Sequence, residues 1–254
     1  MIKPEFTQPP RRKLHATITR EIAIRIIEAE RRSEQIAFPK ESDLSAQLGV
    51  SRTVIRESMK VLLDKGMVEM RPKTGTKTRP RSAWNLLDPD ILVWQAELAP
   101  DARFLRDLCE VRLALEPTAS GFAAVRATTG ELDEIAQCLM MREALGSDAP
   151  LESVVELDGQ FFDAVIVASH NPLLVNLNAI IREPIKTALL FSLRSTANIA
   201  LTSKAQRDLF RALQRKDPVA ASKAAERAVG VAMLAVEEKL HGETRDHSRA
   251  RSRA

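Results

Sequence analysis

The chain has no tyrosine at all, and phenylalanine and tryptophan bring its aromatic content to only 4%. Recognition by stacking successive bases on aromatic platforms is therefore disfavoured. Its two cysteines, Cys109 and Cys138, form neither a metal nor a redox spacing, and a reduced, cytosolic pair is expected. No run of about 18 apolar residues occurs, so no helical membrane span is expected. The N-terminus, MIKPEFTQPPRRKLHATITR, lacks the apolar centre of a secretory signal, which points to the cytoplasm. A phosphate-cradling glycine loop is missing, as is any Ser-His or Cys-His spacing suited to a nucleophile and its base. An enzyme is not expected.

What is present is a 254-residue chain of globular composition, 44% hydrophobic and 28% charged. The charge is unevenly placed. Residues 1–83 carry 18 Lys and Arg against 10 Asp and Glu, a net of +8, whereas residues 84–240 carry 16 against 22, a net of −6. A basic front module on an acidic body suits a polyanionic partner held through counterion release.

Residues 1–13 read as a disordered basic leader, with three prolines and no periodicity. Isoleucines at near-helical spacing predict a first helix over Thr17 to about Arg32. A short second helix follows from Glu41 to about Leu48, closed by Gly49. Ser51 suits the N-cap of a third helix that ends at Lys65-Gly66. In "MVEMRPKTGTKTRP" the segments 67–70 and 76–78 can pair as short strands around a Lys73-Thr74-Gly75 turn. Three helices followed by a basic hairpin make a winged helix-turn-helix over residues 14–80. Residues 81–101, with prolines and two tryptophans, read as a linker that ends by docking on a second domain. Beyond it, apolar residues stepping by three or four predict six or seven helices over residues 102–240, an antiparallel bundle. Pro184 should kink or split one of them. The stretch 241–254 has no apolar residue larger than alanine and is expected to be disordered. The expected fold class is thus mostly α, a winged helix-turn-helix followed by an all-helical antiparallel bundle.

The third helix carries the chemistry. On a helical wheel Ile55, Met59 and Leu62 share one side, while Arg52, Thr53, Arg56 and Lys60 fall within an arc of roughly 100° on another. The basic arc lies on the N-terminal half, the part of a recognition helix that reaches base edges in the major groove. Arg52 and Arg56 can present a planar fork to guanine N7 and O6, and Thr53 can touch a base or a phosphate. The hairpin's Lys73, Thr74, Gly75, Thr76 and Lys77 supply donors without bulk for a backbone or minor-groove contact. Such a helix face is otherwise read as merely solvated; its place after the Gly49 turn and before a basic wing favours DNA. Double-stranded operator DNA is the expected partner, bound by a homodimer, because one recognition helix reads too few base pairs.

"FPKESDLSAQLGVSRTVIRESMKVLLDKGMVEMRPKTGTKT" resembles the winged-helix domain of GntR-family bacterial regulators. "EVRLALEPTASGFAA" (110–124), "ELDGQFFDAVIVASHNPLL" (156–174) and "FRALQRKDPVAASKAA" (210–225) resemble the fatty-acid-regulator subgroup, whose C-terminal FCD domain is a helical ligand sensor. "WNLLDPDILVW" (84–94) is similar to sugar-acid repressors of the galactonate-operon type. The resemblance implies operator contacts at Arg52, Thr53, Arg56 and the wing around Gly75. Where many members have an arginine after the glutamate of their "PxER" motif, this chain has Ser42, implying fewer charge contacts.

Many relatives hold a divalent metal through an aspartate, a histidine four residues later and two further histidines. Asp158 matches the aspartate, but the histidine positions fall on Phe162, Gln206 and Ala228. One carboxylate and one amide are not a transition-metal site, so no metal and no cofactor are expected. His170, in a Ser-His-Asn-Pro turn, is expected to serve that turn rather than ligate. If the sensor pocket is retained, the resemblance puts its lining at Arg112, Asp158, Asn171, Arg194 and Gln206, with a small organic acid, a sugar acid, as effector. A buried Arg112 needs an anion, either a ligand's or that of Asp158 in an internal pair. The other possibility is a ligand-blind DNA-binding dimer whose helical domain is purely structural.

Overall fold

The structure, a computed structural model, describes residues 11–71, 75–98, 102–146, 149–192 and 196–251. Lys73, Thr74 and Arg194 lie outside them. The chain divides into two compact units, Met1–Leu98 and Ala99–Ala254.

The first unit opens with α1 (Arg11–Arg31), which begins inside the expected leader. After β1 (Ala37–Phe38) come α2 (Glu41–Leu48) and α3 (Arg52–Asp64), then β2 (Val68–Arg71) and β3 (Gly75–Thr78). The break between α2 and α3 is made as the sequence requires. Gly49 takes the left-handed conformation at φ 65°, and Ser51 Oγ accepts a hydrogen bond from Val54 N at 3.3 Å. The hairpin forms, with Val68 opposite Thr78 and Arg71 opposite Gly75, but β3 lies between β2 and β1 in a three-stranded antiparallel sheet. β1 escaped the sequence reading because two residues cannot display an alternating pattern. It is fixed by the wing itself: Thr78 Oγ1 accepts from Ile36 N at 3.0 Å, and Gln35 Nε2 donates to Thr78 O at 3.1 Å.

The expected linker requires a correction. Residues Arg81–Ala83 form a 3-10 turn and α4 spans Pro89–Glu97, and both belong to the first unit. Trp84, Ile91 and Trp94 are buried with Ile22, Ile26, Ile55 and Leu62 in one hydrophobic cluster. The reason is local. Lys65, at the end of α3, meets Asp88 Oδ1 at 2.6 Å and Asp90 Oδ2 at 2.8 Å, with Trp94 beneath its ammonium at 5.6 Å. Burial pulls the Lys65 pKa down, and the two aspartates more than reverse this, leaving it raised. Gly66, at φ 76°, lets the Ala83 carbonyl come where a Cβ would stand.

The second unit is a bundle of α5 (Ala102–Arg126), α6 (Thr129–Ala144), α7 (Leu151–Val167), α8 (Pro172–Ser192), α9 (Thr196–Gln214) and α10 (Pro218–Arg251). Its core brings Ala123, Ile135, Phe161, Val165, Leu209 and Ala225 together. Pro184 does not split α8, which runs through it to Ser192. The backbone of α10 also remains helical to Arg251, beyond the residue-240 boundary. Arginine and glutamate are good helix formers and no proline intervenes. Thr128 and Glu131 form a capping box at the start of α6, and the Glu131 carboxylate also meets His170 Nε2 at 2.8 Å. His170, at φ 50° in the turn before α8, therefore serves the turn.

Candidate functional site

The sequence determines two faces of α3. Ile55, Met59 and Leu62 are buried in the core of the first unit, together with Ser58. Arg52, Thr53, Arg56 and Lys60 are all exposed. The structure thus brings the four together on one open helical surface. Arg56 is already engaged: its Nε and Nη2 donate to Glu41 Oε2 at 3.2 and 3.0 Å, and these bonds hold its guanidinium above its ordinary pKa. Glu41 was missed by sequence reasoning, although its position three residues before the α2 core residue Leu44 places it beside α3.

On the wing, Gly75 is exposed at φ 79°, while Thr76 and Lys77 are half-buried. Both lie in the middle strand, opposite Met70 and Glu69 on one side and Phe38 and Ala37 on the other. Their backbone groups are committed to the sheet, leaving only their side chains for a partner.

In the second unit a set of charged and polar side chains is withdrawn from water. Arg112 is 2% exposed, Glu116 4%, Arg142 5%, Asp158 1% and Gln206 0%. Arg112 does not pair with Asp158. It forms a two-pronged bridge to Glu116, one turn further along α5, with Nε to Oε1 at 2.6 Å and Nη2 to Oε2 at 3.3 Å. A partner four residues away on the same helix costs less ordering than one on another helix. Asp158 Oδ1 instead accepts from Arg142 Nε at 2.8 Å and from Gln206 Nε2 at 2.9 Å, tying α6, α7 and α9 together. Burial pushes the Asp158 carboxyl above the usual range, against the opposing pull of Arg142, Gln206 and Arg112.

Arg142 was not foreseen, yet it was legible. It continues the Ile135, Leu139 stripe on the buried side of α6, and an arginine on an apolar stripe must have a buried anion. Asn171 does not join the cluster. Its Oδ1 accepts from Leu173 N and Leu174 N, which makes it the cap of α8.

The pairing leaves polar atoms over. Arg112 Nη1, Arg142 Nη2, Asp158 Oδ2, Gln206 Oε1, Ser120 Oγ and Thr202 Oγ1 are buried with no hydrogen-bond partner. Buried polar atoms are rarely left so. Beside those of Arg112 and Asp158 lies a cavity of about 30 Å³, lined also by Phe162 and Ile185. That is room for water rather than for a sugar acid. Ion pairs between α7 and α8 ring it: Lys186 Nζ to Glu156 Oε2 at 2.6 Å, and Arg182 Nε to Asp163 Oδ2 at 3.0 Å.

These residues do not fit a transition metal. Phe162, four residues after Asp158, lies in the hydrophobic core against Phe161, and Ala228 is in the same core. The Gln206 amide nitrogen faces Asp158, and the Arg142 guanidinium stands on the carboxylate where a cation would bind. Among the described residues no group of three His, Cys, Asp or Glu side chains could hold a metal ion.

A model of the gntR family of bacterial regulatory proteins matches residues 14–77, and a model of the FCD domain matches residues 107–230. The galactonate operon transcriptional repressor of Escherichia coli (strain K12) is 32% identical over 189 residues, covering 74% of this chain and 82% of that protein. The Uxu operon transcriptional regulator of the same organism is 34% identical over 146 residues, 55% of this chain and 52% of its own. A solved structure described as "Lar controls the expression of the Listeria monocytogenes agr system and mediates virulence" superposes with a TM-score of 0.52. It does so at 16% identity, over 91% of this chain and 98% of that one, a likeness of fold.

Proposed function

The chain belongs to the GntR family of bacterial regulatory proteins, and from that premise we propose that it is a repressor whose homodimer binds operator DNA and releases it on sensing a sugar acid. A protein of this family regulates transcription and is not an enzyme. The reading rests first on the division of α3 into a buried apolar side and an exposed side bearing Arg52, Thr53, Arg56 and Lys60. An exposed basic surface on a capped helix behind a helix-turn is suited to the major groove, and the wing's Gly75, Thr76 and Lys77 to the flanking backbone. Two such helices in a dimer read half-sites about one turn apart.

Sensing is supported by the unpartnered buried atoms of Arg112, Asp158 and Gln206. Guanidinium donors and carboxylate or amide acceptors in one apolar bundle match the carboxylate and hydroxyls of a sugar acid. The operon named for the relative supports the same ligand class. The cavity must widen on binding, and a coupling of about 1–3 kcal/mol would change operator affinity some 5- to 150-fold.

One observation favours a ligand-blind dimer instead: the Arg112–Glu116 and Arg142–Asp158 pairs neutralise one another around a space of about 30 Å³. A gel-shift titration on an operator obtained by binding-site selection, with D-galactonate, D-gluconate and L-lactate added in turn, separates the two. Release of the operator by any of these acids supports sensing. Unaltered binding with all of them, and no thermal stabilisation, supports the structural body.

A further inference from the structure

The disagreement between this cluster and a metal site has a consequence. We infer that Arg142 stands in for a resident metal cation, so that the second unit binds a short hydroxy-monocarboxylate without metal. This rests on the sensing role proposed above and goes beyond it by naming the cation and the polarity of the site.

Asp158 is the pivot. It lines the cavity, and its Oδ1 is shared by Arg142 Nε and Gln206 Nε2 at 2.8 and 2.9 Å. A metal ion would need that oxygen and two or three further lone pairs. Here that oxygen already accepts from Arg142 and Gln206, and a guanidinium supplies positive charge in a form no chelator removes. What the guanidiniums leave unused is complementary to a hydroxy acid. Arg112 Nη1 and Arg142 Nη2 can only donate and Asp158 Oδ2 can accept. Gln206 Oε1 can only accept. Of these four residues Arg112 and Asp158 line the cavity, so a ligand carboxylate meets Arg112 Nη1 and a hydroxyl group meets Asp158 Oδ2. An unsubstituted carboxylic acid would satisfy that donor and leave the Asp158 acceptor bare, so the site discriminates for hydroxylated acids.

The ion pairs of Glu156, Asp163, Arg182 and Lys186 around the cavity are at least a third exposed on the α8 side. Such pairs are weak and exchangeable, so the helices they join can part to admit a ligand larger than the closed space.

The test uses the full chain, stripped with a chelator and checked by elemental analysis. Calorimetric titration with D-galactonate, D-gluconate, L-lactate and the unhydroxylated propionate is run with and without added Zn, Ni or Mn ions. Expected is saturable binding of at least one hydroxy acid, unchanged within about twofold by metal, and none of propionate. Arg142→Met should weaken it about 10- to 100-fold, because the Asp158 carboxylate loses the charged hydrogen bond that positions it. Because that variant strands Asp158, the double variant Arg142→Met, Asp158→Leu is measured beside it; it should fold, by circular dichroism, and not bind. Binding seen only with added metal overturns this inference and leaves the sensing role standing. Wild-type affinity in Arg142→Met overturns the inference too. No binding of any acid under either condition overturns the sensing role and the inference with it.

Discussion

Arg56 on α3 gives two guanidinium nitrogens to one carboxylate oxygen of Glu41 on α2, at 3.2 and 3.0 Å, with its own side chain still 69% exposed. The pair therefore orients the guanidinium without removing it from solvent. Exposed ion pairs contribute little to stability, so the role of Glu41 is to be sought in DNA binding. Arg56→Ala is expected to reduce preference for the selected operator over random DNA by about 10- to 100-fold, the range for one bidentate base contact. Glu41→Gln should raise affinity for random DNA, because a carboxylate near the phosphates is gone, and lower the preference by less. Anisotropy titrations at several salt concentrations measure both. An unchanged ratio in both variants would remove Arg56 from the reading surface.

Two carboxylates on α7 titrate in opposite directions. Glu156 is lowered, first by its hydrogen bond from Lys186, while Asp158 is raised by burial. A lowered folded-state pKa adds stability that is present above the ordinary carboxylate pKa and lost as pH falls through the folded value. A raised one adds stability that is present below the ordinary pKa and lost as pH rises through the folded value. Relative to wild type, Glu156→Gln should thus cost stability at neutral pH, by less than about 1 kcal/mol for so exposed a pair, with the cost vanishing in acid. The difference between wild type and Asp158→Asn should run the other way, with wild type losing ground as pH rises. Thermal melts of the three proteins from acid to neutral pH check the two signs.

Gly49 and Gly66 both have positive φ, at 65° and 76°, but they stand in different surroundings. A Cβ at Gly49 would meet nothing within 4 Å, whereas one at Gly66 would collide with the Ala83 carbonyl oxygen. Gly49→Ala should cost only the left-handed strain, of order 1 kcal/mol. Gly66→Ala should cost about 2–4 kcal/mol, since the segment carrying Trp84 must also move. Urea denaturation followed by tryptophan fluorescence compares the two, and equal midpoints would count against the close approach of Ala83.

The parts of this molecule that the sequence declares are those where one residue type has one structural use. Gly49 ends a helix and Ser51 begins another because each solves a backbone problem at its own position. The buried stripe of α3 and the order of the helices follow in the same way. What stayed hidden depends on partners distant in the chain. β1 exists because Thr78 receives it, and Trp84 and Trp94 are apolar under any reading, so nothing in them says which core they enter. Arg112 announced a buried anion without saying whose. Glu116 at i+4 was the nearer candidate than Asp158, and the leftover carboxylate then required Arg142.

The position of both tryptophans in the first unit makes a prediction about where the DNA-binding unit ends. Residues 14–80 contain the winged helix-turn-helix as read from sequence. Its core, however, is closed by Trp84, Ile91 and Trp94, and Lys65 is neutralised by Asp88 and Asp90. A fragment of residues 1–80 would expose Ile22, Ile26 and Leu62 to water and leave Lys65 unpaired. Losing even one large aromatic from such a core costs about 3–5 kcal/mol, a large share of what a small domain possesses. The 1–80 fragment should therefore be largely unfolded at room temperature, while a fragment of residues 1–98 should unfold cooperatively and bind DNA nonspecifically. Circular dichroism melts of the two fragments decide the matter. A cooperative transition of equal midpoint in the shorter one would show that α4 is only an appendage.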